Sequence, residues 1–136
     1  MYKAPHSPLQ APEEVIQPYL DAGMSQGVAI TYAMNEIMDQ GVGRIEEKLQ
    51  DLGLADDTIL MFTSDNGPAF RARPDQVPQG MSTDTRRYNC GFNGQKGSVY
   101  EGGMRVPKVL RWLDQCGNAR RALETGASPI SAAAQD

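Results

Sequence analysis

The chain has 136 residues, enough for one domain of the common size of roughly 100 to 150 residues. Its formal net charge of -4 argues against a protein that binds nucleic acid, because such proteins carry an excess of basic residues. No apolar run approaches the ~20 residues that cross a bilayer, so we expect no membrane span.

The first 30 residues contain four of the nine prolines. Proline fixes φ and donates no backbone hydrogen bond. This stretch is therefore predicted to be mostly loop, with one helical turn at 13–16 after Pro12.

The clearest helix signal runs from Thr31 to Leu52, where apolar residues recur at spacings of three and four, the period of one helix face. They are Met34, Met38, Val42, Ile45, Leu49 and Leu52. Gly53 stands where a left-handed residue would cap the helix, and Leu54 can contact the last turn. The pattern predicts a helix over 31–52 that ends at Gly53.

A near-continuous apolar run, Thr58 to Thr63, follows the turn signal of two aspartates at 56–57. Because both of its faces are apolar, we interpret it as a buried parallel strand. The run ends in the polar sequence SDNGP at 64–68. Ligands in open α/β sheets bind at the carboxyl ends of strands, so Asp65 and Asn66 are candidate site residues.

The later segments carry weaker signals. Residues 69–95 are polar and lack a period, which is typical of a long loop. A second strand is predicted over 106–112, and the tail from 117 is predicted to be disordered or a short helix near 119–124.

The two cysteines, Cys90 and Cys116, have neither a CxxC spacing nor a histidine-rich neighbourhood. No zinc site is therefore expected. A disulfide and two free thiols both remain open.

Three segments hold the unusual residues of the chain. They are PHSPLQAP at 5–12, the histidine segment; FTSDNGP at 62–68, the strand-end segment; and GQKGSVYEGGMRVP at 94–107, the glycine-rich segment. In this order, around a helix containing VGRI at 42–45, they resemble the type I sulfatase family, from about Lys3 to Val106. Each segment alone is a weak signal, and the ordered set carries the resemblance.

The resemblance implies an α/β fold in which a mainly parallel or mixed sheet is sandwiched by helices, with this chain holding an incomplete part of it. It predicts a partial catalytic domain over 1–113. The chain departs from the family pattern at RWLD, residues 111–114, so a divergent tail is expected over 114–136.

The resemblance also implies hydrolysis of sulfate esters, of a small molecule or a sulfated glycan. Asp65 and Asn66 are implied as ligands of calcium or magnesium, which prefer oxygen donors. Lys96 is implied to contact the sulfate as a point charge, and His6 to assist the leaving oxygen. Outside these segments, each residue would have an ordinary structural explanation. Asp65 and Asn66 would form an Asx turn, Lys96 would be a solvated lysine, and His6 would be structural or merely exposed.

Glu101 and Arg105 have no agreed chemical role in the family. We interpret them as a structural pair. The family does not decide the compartment, since members are periplasmic, secreted or lysosomal, and the N-terminus shows no signal-peptide pattern.

Sulfatases attack with a formylglycine made from a Cys or Ser in the pattern C-x-P-S-R, and this chain contains no such pattern. CGNAR at 116–120 has Asn118 in place of the proline, and we interpret it as coincidence. The family's Asp-Asp pair of metal ligands is absent too. We therefore expect the isolated chain to be inactive, and open sheet edges near 58–63 to favour self-association.

Two other functions are open. A phosphate or phosphonate ester hydrolase shares the superfamily's fold and its site for a tetrahedral anion, although the glycine-rich segment favours a sulfatase. A non-catalytic relic or interaction fragment would retain the same segments by descent.

Overall fold

The computed structural model describes residues 4–113 and 119–120. The chain divides into two compact units. We call Met1–Glu47 with Ala69–Cys90 the helical unit, and Lys48–Pro68 with Gly91–Asp136 the strand unit.

The elements follow one another in the order helix, helix, strand, helix, strand, strand. They are α1 (Glu13–Asp21), α2 (Gln26–Asp51), β1 (Leu60–Thr63), α3 (Glu101–Met104), β2 (Lys108–Leu113) and β3 (Ala119–Arg120), with a 3-10 turn at Pro74–Gln76. No helix in the described part of the chain is long and apolar enough to cross a membrane. The expected α/β class is confirmed, in an incomplete form.

Helix α1 confirms the predicted helical turn at 13–16 and corrects the expectation of a loop after it, because the helix continues through Pro18 to Asp21. Two glutamates in its first turn favour the helix dipole. Tyr19 stacks on Tyr32 of α2 with 5.7 Å between ring centroids, and its hydroxyl donates to Glu36 at 2.9 Å. Packing on α2 therefore compensates for the helical hydrogen bond that the proline lacks.

Helix α2 begins at Gln26, five residues before the predicted start. The first turns of α2 are buried. Gly27 makes this possible because it lets the helix backbone approach residues 84–85 closely. A Cβ on Gly27 would lie 3.1 Å from Thr85 Cγ2 and 3.2 Å from the Asp84 carbonyl oxygen. The predicted period does not detect these turns because they pack through small residues.

The predicted end of α2 is confirmed. Gly53 has a φ of +66°. Its N–H donates to the carbonyl of Gln50, and the N–H of Leu54 donates to the carbonyl of Leu49, both at 2.9 Å. These are the bonds of a Schellman cap.

The core of the helical unit is small. Leu9, Ile30 and Met34 are 4%, 3% and 9% exposed. Partly buried residues pack around them: Ala4, Ala11, Ile16, Ala72, Val77 and Met81. Leu9 belongs to the histidine segment, and its N–H donates to the carbonyl of Gln76 at 3.1 Å, so this core anchors that segment.

The predicted long loop is confirmed as largely irregular, but it is not featureless. An antiparallel bridge joins Arg71 to Asp84. The guanidinium of Arg86 donates to the Asp84 carboxylate, at 2.6 Å for its shortest bond, and the Arg86 backbone N–H donates to it at 2.9 Å. These charge-assisted bonds close the turn.

The strand unit corrects the predicted parallel strand. β1 pairs with β2 in antiparallel register, with Leu60 opposite Arg111 and Thr63 opposite Lys108. Burial alternates along β1, and Met61 is 54% exposed. The sequence predicted that the apolar run is buried on both faces, but within this chain one face is exposed. Self-association through open sheet edges stays a prediction.

The second predicted strand is confirmed as β2. Ala119 and Arg120 form β3 against β2, which corrects the expected helix or disorder at these two positions. The rest of the tail lies outside the described residues, so the predicted boundary at 113 stays a prediction.

Replacing Ile30 with Ala should lower the free energy of unfolding by about 3 kcal/mol. The core is small, so few neighbouring side chains can fill the cavity that the substitution leaves. Ile45→Ala, on the same helix at a position 46% exposed, is the matched control and should cost less than about 1 kcal/mol. Urea denaturation followed by circular dichroism measures both. Equal losses would show that the core does not centre on Ile30.

The Arg86 side chain, and then its backbone N–H, lower the pKa of Asp84 from 3.8 to about 2. Because the folded pKa is depressed, the stabilising effect is present above pH 4 and is lost as the pH falls from about 4 to about 2. Arg86→Gln should move the Asp84 pKa back towards 3.8, measured by NMR titration of the carboxyl carbon. Arg73→Gln, which removes the partner of Asp75 instead, should leave it unchanged.

Candidate functional site

The strand-end and glycine-rich segments are joined through their backbones in the strand unit. The N–H of Gly67 donates to the carbonyl of Gly103, and the N–H of Lys96 donates to the carbonyl of Pro68, both at 2.9 Å. The N–H of Gly102 donates to the carbonyl of Asn93, the residue directly before the glycine-rich segment, at 2.7 Å. Two segments that are separate in sequence are thus joined in the structure.

This junction leaves no room for side chains. A Cβ on Gly67 would overlap the carbonyl oxygen of Gly102 and lie 3.1 Å from the Cα of Gly103. Both Gly102 and Gly103 are buried. The glycines therefore serve close backbone approach.

Asp65 and Asn66 lie in the turn directly after β1. The hydroxyl of Ser64 donates to the carbonyl of Asn66 at 3.0 Å and closes this turn. Asp65 is exposed and Asn66 is half-buried. Among the described residues, no hydrogen bond or ion pair engages the Asp65 carboxylate, which leaves its oxygens available to a ligand.

These two side chains fit part of a calcium site. Carboxylate and amide oxygens are the donors that calcium and magnesium prefer, but calcium takes six to eight oxygens. No cluster of three or more His, Cys, Asp or Glu in 4–113 could hold a metal ion. Asp65 and Asn66 can therefore be two ligands of a larger set.

Lys96 is exposed on a turn of the glycine-rich segment. Gly94 and Gly97, on either side, have φ values of +84° and +86°, which L side chains rarely adopt. The N–H of Ser98 donates to the carbonyl of Gln95 at 2.9 Å. The ammonium group is thus carried by a turn whose backbone is tied to the strand-end segment.

His6 belongs to the helical unit, whereas Asp65, Asn66 and Lys96 belong to the strand unit. Its ring is exposed, and Nδ1 lies 2.8 Å from the carbonyl oxygen of Ser7. A carbonyl can only accept, so Nδ1 carries the proton and Nε2 is left for a ligand.

Glu101 and Arg105, predicted as a structural pair, are joined through the backbone: the N–H of Arg105 donates to the carbonyl of Glu101 at 2.7 Å and caps α3. The guanidinium of Arg105 lies over the ring of Phe92, 4.8 Å from its centroid. The backbone of Arg105 is thus the partner of Glu101, while its side chain contacts Phe92. A lone aromatic in a loop gives no sequence signal for this contact.

Cys90 is an exposed free thiol with a φ of 51°. Cys116 lies outside the described residues, so the question of a disulfide concerns a position that the structure does not describe. Residues 116–118 of the CGNAR sequence also lie outside the described residues, whereas its last two residues belong to β3.

A family model described as Sulfatase matches residues 1–133. The chain belongs to the sulfatase family. This confirms the family that the three segments predicted.

Two curated relatives show how much of a sulfatase is represented. The human N-acetylgalactosamine-6-sulfatase is 40% identical over 109 residues, which cover 80% of this chain and 18% of the relative. The mouse steryl-sulfatase is 44% identical over 78 residues, 57% of this chain and 12% of the relative. The chain spans less than a fifth of the length of either.

A solved structure agrees with this assignment. The crystal structure of Ps i-CgsB in complex with k-i-k-neocarrahexaose is 30% identical, with a TM-score of 0.63. The match covers 80% of this chain and 21% of that one. The fold of this sulfatase chain is therefore an incomplete α/β fold of the same kind.

Gly67→Ala should destabilise the strand unit by about 2 kcal/mol, because the new methyl group overlaps a buried carbonyl. The fluorescence of Trp112, the single tryptophan, reports on this unit during urea denaturation. Gly43→Ala is the matched control: its Cβ would meet nothing within 4 Å, and in a helix interior it should stabilise by up to about 1 kcal/mol. An unchanged midpoint for Gly67→Ala would contradict the close approach.

Proposed function

We propose that this chain supplies the sulfate-binding group and part of the metal-binding set of a sulfatase. The observation that carries the proposal is the backbone junction of the strand-end and glycine-rich segments. It supports a common site for the Asp65 and Asn66 oxygens and the Lys96 ammonium. A cation and hard oxygen donors are the groups that hold a metal-bound tetrahedral anion.

Each residue has a separate role in the proposal. Asp65 and Asn66 hold calcium, or magnesium in its place, with further ligands from water or other sulfatase residues. When bound, the metal polarises the sulfate group. Lys96 holds the sulfate oxygens, and His6 assists the leaving oxygen through Nε2, the ring nitrogen that is not bonded to Ser7.

The attacking oxygen of the family comes from formylglycine, and no C-x-P-S-R pattern occurs in this sequence. The residues above bind and polarise but none of them replaces that nucleophile. We therefore propose that this chain by itself binds sulfate without cleaving sulfate esters.

The substrate of the whole protein belongs to the sulfate esters, and a sulfated glycan is the favoured class. Support comes from a relative named N-acetylgalactosamine-6-sulfatase and from a similar structure with a bound oligosaccharide. A relative named steryl-sulfatase keeps a small-molecule ester as the alternative.

Isothermal titration of the purified chain with sodium sulfate, in the presence of calcium, tests the proposal. Lys96→Gln should weaken sulfate binding at least tenfold, a loss of about 1.4 kcal/mol, because the ammonium is removed. Asp65→Asn should abolish calcium binding while keeping the size of the side chain. Lys48→Gln, at an exposed helix lysine, is the control for lost charge and should bind like wild type.

Three outcomes would contradict the proposal in different ways. Equal weakening by the Lys48 and Lys96 variants would mean that sulfate responds to overall charge only. Tighter binding of inorganic phosphate than of sulfate would favour the phosphate ester hydrolase. Turnover of an aryl sulfate would show that the chain has a nucleophile that the sequence does not reveal.

A further inference from the structure

We propose that Ser98 is a positioning residue for Lys96, whose hydroxyl fixes the turn that presents the ammonium group. The inference rests on the proposed function, in which Lys96 holds the sulfate. Ser98 is half-buried and carries no charge, so it would act through the backbone beside Lys96 and not on the anion itself.

The Ser98 hydroxyl engages both backbone groups of the residue before Lys96. Its Oγ donates to the carbonyl of Gln95 at 2.8 Å and accepts the N–H of Gln95 at 3.0 Å. The backbone N–H of Lys96 is itself bonded to Pro68 at 2.9 Å. The peptide unit that joins Gln95 to Lys96 is therefore held at both ends: its carbonyl accepts from the Ser98 hydroxyl, and its N–H donates to Pro68.

The space around this hydroxyl is created by two glycines. A Cβ on Gly103 would lie 2.8 Å from Ser98 Oγ, and a Cβ on Gly94 would overlap the same atom. Gly103 also accepts the hydrogen bond from Gly67. Ser98 thus packs between the turn that carries Lys96 and the junction with the strand-end segment.

A positioning role makes a specific demand on the side chain. Lys96 is exposed and long, and its ammonium samples many rotamers unless the backbone below it is fixed. Removing the hydroxyl takes away one hydrogen bond from the Gln95 carbonyl, which still accepts from the N–H of Ser98, and one from the Gln95 N–H, and this loosens the turn. The ammonium would then spend less time where it meets the anion.

Ser98→Thr and Ser98→Val form the matched pair that tests this. The two side chains have nearly the same shape, so any crowding by the extra methyl group is common to both, and only the hydroxyl differs. Hydrogen exchange of the Lys96 amide, followed by NMR, should be about tenfold faster in the Val variant than in the Thr variant. Sulfate affinity, measured by calorimetry, should be about tenfold weaker in the Val variant, a difference of about 1.4 kcal/mol.

Ser82→Ala is the control for loss of a turn hydroxyl, since Ser82 Oγ accepts from Asp84 N–H at 3.1 Å in the helical unit. It should leave both the Lys96 exchange and the sulfate affinity at wild-type values. Exchange of the β1 amides, equal in the Thr and Val variants, would show that the strand unit as a whole is not loosened.

The outcomes separate this inference from the proposed function. Sulfate binding by wild type with equal affinity in the Thr and Val variants would overturn the role of Ser98 alone. Faster Lys96 exchange without weaker binding would make Ser98 structural only and would also overturn it. A wild-type chain that binds no sulfate would overturn the proposed function and, with it, the purpose assigned to Ser98.

Discussion

The close contact between the turn after β1 and the double glycine of α3 is the constraint on which the candidate site depends. Gly67 donates to Gly103 at 2.9 Å, and neither Gly67 nor Gly103 could carry a Cβ without displacing backbone. Hydrogen bonds between backbones that approach this closely are directional and buried, so they fix one relative placement of the two segments. These bonds therefore also fix the relative placement of the turn that carries Asp65 and Asn66 and the turn that carries Lys96.

Sequence periodicity predicted the features that arise from local geometry. The C-terminal end of α2 is an example, because the apolar spacing and the Gly53–Leu54 cap are both properties of neighbouring residues. β2 was predicted for the same reason. Only the first turn of α1 was predicted, because Pro18 opposes a helix locally, and the stacking of Tyr19 on Tyr32 that overrides it joins residues of two different helices.

The direction of β1 was missed for a different physical reason. A continuous apolar run reports how much of a strand's surface is hydrophobic, and it does not report which strand lies beside it. β2 returns in the opposite direction and pairs from Thr63 with Lys108 to Leu60 with Arg111. The apolar face that suggested a buried strand is then left exposed, as Met61 shows at 54%.

The sequence predicted which residues belong to the candidate site, but it did not predict how they are arranged. Asp65, Asn66, Lys96 and His6 were singled out because their segments resemble those of sulfatases, a resemblance that family membership confirms. Their roles stay proposals. The supporting contacts are the Ser98 hydroxyl on Gln95, three residues away, and the Arg105 guanidinium over the Phe92 ring. Neither follows from a helix or strand period, so the periodic pattern of the sequence did not predict them.

The division between functional and structural residues has a consequence for any variant of this chain. Asp65, Lys96 and His6 are exposed, and exposed side chains contribute little to the free energy of unfolding. The glycines contribute no functional group, yet a methyl group on Gly67 would collide with buried backbone. Loss of binding with intact folding therefore identifies a residue that contacts the ligand or positions one that does, whereas loss of both identifies the backbone junction.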